Sequence, residues 1–219
     1  DFAKFLNVPC VGGKVSFYNE TSDGPIKPTP LIGVLGLIEN SPLLPTPPSN
    51  NDVILLVGET KDELGGSEYY EYIHNFIGGI APKVDFSESQ KNMNSVLSLI
   101  SKNLIKCAHD CSKGGLAIAI SELCVFGKLG CDVDLTSSLS SEKMLFSESH
   151  SRYLLVVDKN NLDEIKSILS EHNCTFSELG IFFGDQITFK SNSEPILELR
   201  VDKAENNYLN SLGKIIQNG

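Results

Sequence analysis

The stretch KCAHDCSKGGLAIAISELCVF, Lys106–Phe126, decides the fold. It opens as a short segment, KCAHD, passes through the paired glycines Gly114 and Gly115, and continues into a run apolar on nearly every side. A helix without a polar face belongs inside a layered core rather than on its surface. Outward on the C-terminal side, CDVDL (131–135) alternates as a short strand and RYLLVVD (152–158) reads as a buried one. Asn161–Glu171 is amphipathic through Leu162, Ile165, Ile168 and Leu169. FSELGIFFG, QITFK and ILELRVD then give late strands, followed by a short C-terminal helix.

On the N-terminal side VILLVGE (53–59) is a buried strand, and Ser67 starts a helix running to about Phe76. Ser87 and Gln90 have capping-box spacing at the head of a further helix. Its face is expected to carry Met93, Val96, Leu97, Ile100 and Leu104. Strands and helices mix without strict βαβα alternation, which predicts an α+β domain with a mixed sheet and packed helices. Ser41–Asp52 holds four prolines and reads as a linker. Before it, LIGVLGLIE (Leu31–Glu39) is continuously apolar and is expected to form a buried strand, and Phe2–Asn7 reads as the tail of a helix.

The chain has 219 residues and a formal net charge of −10, with lysines scattered singly. That pattern lacks the clustered cations nucleic acid demands, so no nucleic-acid partner is expected. The longest apolar run is too short to cross a bilayer, so no membrane role is expected. The chain opens Asp-Phe-Ala-Lys, which reads as neither a basic, apolar leader nor an initiator Met. The expectation is a fragment or processed chain of a cytoplasmic protein. Six cysteines without a C-x-x-C pair read as reduced thiols. The spacing of Cys107, His109 and Cys111 suits zinc poorly, and no confident metal ligand emerges.

Four stretches carry residue types that do chemistry. In HDCSKGG, Gly114 and Gly115 at a helix start suit either an anion against bare backbone or a tight strand-to-helix turn. Asp110 and Ser112 would cap that helix or orient a bound group. In FSESHSR, Glu148 and Ser149 read as binders of a hydroxylated ligand or as a polar turn with a Glu–Arg pair. ELGGSEYYEY reads as structure, with Ser67 as N-cap. In GGKVSFYNET, Gly12 and Gly13 allow backbone to reach a nucleotide, Lys14 would meet phosphate as a point charge, and Ser16 would donate to a small substrate. A bulged hairpin is the alternative there, and the P-loop pattern is absent.

Together, VGGKVSFYNET…PTPLIGVLGLIE, ETKDELGGSEYY and AHDCSKGGLAIAISEL, in this order, closely resemble the C-terminal part of the phosphoribosylformylglycinamidine synthase (formylglycinamide ribonucleotide amidotransferase) family, within the aminoimidazole ribonucleotide synthetase-like superfamily. The resemblance implies an ATP-dependent carbon–nitrogen ligase of purine biosynthesis. Such an enzyme turns formylglycinamide ribonucleotide and glutamine-derived ammonia into the formylglycinamidine, with Mg2+ on the transferring phosphoryl group. It implies residues 1–48 as the end of a second ATP-binding α/β domain and 49–219 as the C-terminal α+β domain. It further implies Gly13 at ATP, Ser16 at substrate, and Lys14 where the family carries a magnesium-binding Asn. FSES and HDCSKGG look like second-half duplicates of substrate-contacting segments. Asp110, Ser112, Gly114, Gly115, Glu148 and Ser149 are therefore candidate contacts of a second, vestigial or structural, phosphate or nucleotide site. No catalytic residue is implied in this stretch, and the fragment alone is expected to be inactive. The implied partners are the N-terminal half of the same protein, a glutaminase subunit PurQ and a small subunit PurS. Another superfamily member, aminoimidazole ribonucleotide or selenophosphate synthetase, or a noncatalytic docking scaffold, is the competing reading.

Overall fold

The computed structural model describes residues 1–26, 29–38 and 45–218. The chain divides into two compact units, 1–41 and 42–219.

The first unit has a single-turn helix α1 (Phe2–Phe5) and a minimal antiparallel pair, β1 (Glu20–Thr21) with β2 (Gly24–Pro25). Thr21 Oγ1 donates to the carbonyl of Gly24 at 3.2 Å and closes that turn. The strand expected over 31–39 does not form in its described part: residues 31–38 have no strand or helix assigned, and Leu35 is 96% exposed. A strand requires a neighbour for its N–H and C=O groups, and none of the described residues offers one. Apolarity alone cannot supply that neighbour. Glu39 and the first part of the expected linker lie outside the described residues.

The second unit contains β3 (Val53–Val57), α2 (Glu68–His74), α3 (Phe86–Ser101), β4 (Cys107–Asp110), α4 (Gly115–Gly127), β5 (Cys131–Asp134), α5 (Ser141–Phe146), β6 (Tyr153–Val157), α6 (Leu162–Glu171), β7 (Phe176–Phe182), β8 (Gln186–Ser191), β9 (Glu194–Arg200) and α7 (Val201–Asn218). Its strands form one mixed sheet in the order β4-β6-β3-β7-β5-β8-β9. Only β5 and β8 run parallel; the other described neighbours are antiparallel. This is the expected α+β arrangement.

Strand periodicity splits the core in two. From β3, Ile54 and Leu56 join α4, α5 and the start of α7 on one face. Val53, Leu55 and Val57 join α3 and α6 on the other. All five β3 side chains are buried, at roughly 1.5–3 kcal/mol each of transfer free energy. The expected α6 face, Leu162, Ile165, Ile168 and Leu169, is the buried one. Helix α2 begins as expected, with Ser67 Oγ accepting from the Tyr70 N–H, and it ends at Asn75 in the left-handed region.

Four local expectations are corrected. Helix α3 is capped by Asp85, whose carboxylate accepts from the Glu88 N–H at 2.9 Å, so the Ser87/Gln90 box is already inside the helix. Its buried face is Ser89, Asn92, Ser95, Val96 and Leu99, while Leu97 is exposed. Three of these five buried positions are small polar residues bonded to backbone, which a reading by apolarity rotates away from the core. Helix α4 buries Leu116, Ala119, Ile120 and Leu123 but leaves Ile118 and Phe126 partly open. Helix α7 is 18 residues long rather than short.

Candidate functional site

Three polar segments far apart in sequence meet beside the starts of α2 and α4: 60–68, 109–115 and 147–152. The turn into α4 needs its glycines. Gly114 has φ +78° and Gly115 φ +64°, a region that L side chains avoid. A Cβ on Gly115 would lie 2.6 Å from the Ser147 carbonyl and 2.8 Å from that of Leu145. The second glycine therefore serves close packing of the helix start on the 145–147 backbone.

Glu148 is the hub. Its Oε1 accepts from the Gly114 N–H at 2.8 Å and from the Glu68 N–H at 2.9 Å. The backbone around it is stitched to the 61–63 segment. Glu148 N–H donates to the Glu63 carbonyl at 3.1 Å, Ser149 Oγ accepts from Lys61 N–H at 3.0 Å, and Ser147 Oγ accepts from Glu63 N–H at 3.3 Å. Lys61 is paired to Glu88 at 3.1 Å, which raises its pKa. Lys113 is bonded to Glu68, which raises its pKa likewise.

Arg152, 1% exposed, closes the arrangement from inside. Its Nε donates to the Ser149 carbonyl at 2.9 Å, Nη1 to Thr60 Oγ1 at 2.9 Å, and Nη2 to the Ser147 carbonyl at 2.5 Å. Burial pulls its pKa below the ordinary guanidinium value. Among the described residues no carboxylate lies within 4 Å of it, so the expected Glu–Arg pair is not formed. Next to it burial pushes the Cys111 thiol up to about 11, opposed by the Arg152 charge.

A cavity of about 280 Å³ opens beside these groups, lined by Asp110, Ser112, Lys113, Glu148, His150 and Arg152 among others. The structure thus brings Asp110, Ser112 and Glu148 around one space, with Gly114 bonded to Glu148 at its edge. Ser149 faces Lys61, and Gly115 faces the 145–147 backbone. His109 is drawn away, with Nε2 3.2 Å from Glu122. Gly13, Lys14 and Ser16 lie in the first unit, exposed, with the Ser16 carbonyl accepting from Asn19 Nδ2 at 3.0 Å. Lys61, Glu63 and Thr60 were not singled out by sequence reasoning. Their signal was proximity to the Gly65-Gly66 pair, which reads only as a turn. Among the described residues no group of three or more His, Cys, Asp or Glu side chains is placed to hold a metal.

The mixed sheet with its packed helices is the fold of a known class of domain. Residues 49–190 match the family model described as AIR synthase related protein, C-terminal domain. The chain thus belongs to that family, and more particularly it is similar over nearly its whole length to phosphoribosylformylglycinamidine synthase subunit PurL. It is 38% identical over 224 residues to that subunit from Methanococcus aeolicus, covering 99% of this chain and 30% of the relative. PurL of Thermotoga maritima complexed with ATP superposes with a TM-score of 0.61 at 19% identity, over 74% of this chain and 27% of that one. PurLQS from the same organism gives 0.58 at 19%, over 73% and 27%. At such identities these structures speak for the fold. The chain spans about 30% of the length of the curated relative it matches.

Proposed function

We propose that this chain is the C-terminal part of a PurL synthase. Together with the rest of the polypeptide, it would convert formylglycinamide ribonucleotide and glutamine-derived ammonia to the formylglycinamidine ribonucleotide at the expense of ATP. The observation that supports this reading is similarity running over 99% of the chain to about a third of a PurL subunit. In this reading residues 1–48 complete an ATP-binding domain, and 49–219 form the domain that follows it. The backbone at Gly13 approaches the nucleotide, the Lys14 ammonium faces its phosphates, and Ser16 Oγ–H donates to the ribonucleotide substrate. A protonated lysine has no lone pair for a metal. Lys14 therefore does not fit a magnesium contact. The ammonia source is a glutaminase subunit, PurQ, docked with PurS, by analogy with the PurLQS structure. The setting is cytoplasmic; among the described residues no helix is long and apolar enough to cross a membrane.

The test is reconstitution. The chain alone, an upstream PurL portion alone, and the two combined are assayed for ADP and formylglycinamidine formation with ammonium chloride as nitrogen source. Activity is expected only in the combination, and Ser16→Ala should lower it by about tenfold or more, the equivalent of one hydrogen bond. Turnover by the chain alone, or a combination indifferent to Ser16→Ala, would overturn the assignment.

A further inference from the structure

The carboxylate of Glu148 stands where an external anion would be sought. Its Oε1 takes the Gly114 N–H at the head of the 13-residue helix α4, 2.8 Å away, where the helix dipole favours negative charge. The same oxygen takes the Glu68 N–H at 2.9 Å. Bonds from backbone N–H to an ionised acceptor are stronger than neutral ones, and here one oxygen holds two. The backbone carrying this side chain is pinned at Ser147, Glu148 and Ser149 to residues 61–63. The 145–147 backbone also packs against Gly115 too closely to admit even a methyl group. Buried Arg152 borders the same cavity, and Glu63 and Glu148 are the two carboxylates whose field acts on it.

We propose that Glu148 is an internal substitute for a ligand anion. The anion position at the start of α4 is filled by the protein's own carboxylate, and the adjoining cavity is closed to phosphate while Glu148 is in place. This goes beyond the synthase reading and does not rest on it. The positive features of the pocket, the helix start, Lys113 and Arg152, then serve to hold one loop.

The experiment uses the whole chain and inorganic phosphate, with chloride matched for ionic strength. Amide signals of Gly114 and Glu68 and the thermal midpoint are followed. The wild-type chain is expected to show no saturable phosphate response. Glu148→Ala vacates the position, so its midpoint should fall. It should bind phosphate at least about tenfold more tightly than wild type, with phosphate or acetate restoring the midpoint beyond the chloride control. Glu148→Gln keeps an acceptor oxygen for both N–H groups and should fold without gaining phosphate affinity. A saturable shift at Gly114 in the wild type or in Glu148→Gln overturns the proposal, as does a folded Glu148→Ala that gains no phosphate binding. If Glu148→Ala fails to fold, the phosphate titrations of wild type and Glu148→Gln decide the matter: silence in both supports it.

Discussion

Replacing Arg152 by Met tests what holds the candidate site together. The side chain is 1% exposed and donates to two backbone carbonyls and one hydroxyl. Bonds from a charged donor contribute about 1.5–3 kcal/mol each. Against their sum stands the dehydration of the guanidinium, several kcal/mol, visible in its lowered pKa. Methionine removes that penalty but leaves the Ser147 and Ser149 carbonyls and Thr60 Oγ1 facing a thioether. The same change removes the side-chain bridge that Arg152 makes from Thr60 to the Ser147 and Ser149 carbonyls. Leaving three buried acceptors without a donor costs about 1–3 kcal/mol each, offset in part by the relieved burial of the guanidinium; a net loss of about 3–5 kcal/mol is a large share of the 5–15 kcal/mol typical of a domain. Urea unfolding at neutral pH should therefore show a lower midpoint at unchanged slope. Arg152→Lys should lose at least about 2 kcal/mol, because one ammonium cannot span three acceptors set for a planar fork. A Met variant within about 1 kcal/mol of wild type would refute the reasoning, since it would mean the guanidinium's bonds do no more than offset its burial.

Asp85→Ala should cost about 1 kcal/mol by removing the cap on the Glu88 N–H, whereas Ser87→Ala should be nearly neutral; paired urea curves separate the two. Thiol chemistry should follow burial. In folded protein at pH 8, iodoacetamide should label exposed Cys10 and spare Cys111, a contrast that peptide mass spectrometry reads and that urea should abolish. The same raised thiol has a stability sign. With Cys111 moved from 9.0 up to about 11, the folded chain keeps a proton that the unfolded chain has lost. Stability is therefore full below pH 9 and falls as pH rises toward 11, by at most roughly 2–3 kcal/mol. A Cys111→Ser chain should show a flatter pH profile over that window.

The fold was legible wherever burial and period coincide. VILLV, the α6 face and QITFK carry their burial in their own spelling, because a side chain's fate there depends on its apolarity. The reading failed where burial is polar or partners are distant. Ser89, Asn92 and Ser95 are buried on α3 because each bonds backbone, which no hydropathy pattern announces. The short α5 was not seen, since SEKMLF offers barely a turn of pattern. Leu31–Ile38 has a strand's composition and no described partner, and register is a property of pairs rather than of one segment. At the site, the doublets and FSES were legible as unusual, yet their partners were not. Glu148 meets Gly114 and Glu68 across 34 and 80 residues, separations that only the folded chain reveals.

Those separations bear on what motif polarity means in this domain. A serine, a glutamate, another serine and an arginine just before a buried strand invite a reading as ligand contacts, because strand mouths often face pockets. Here Ser147 and Ser149 each accept a backbone N–H from residues 61–63, Glu148 accepts two more, and Arg152 donates to the carbonyls of the two serines and to Thr60. Polar side chains are thereby satisfying main-chain groups that loop geometry leaves without strand or helix partners, which the interior requires. A ligand entering this space must compete with bonds already made, several of them charge-assisted. It follows that loss of function on mutating FSES cannot by itself identify a binding residue. A stability measurement on the same variant is needed, and a conservative change that keeps the acceptor, Glu148→Gln, should leave the brace standing where Glu148→Ala does not.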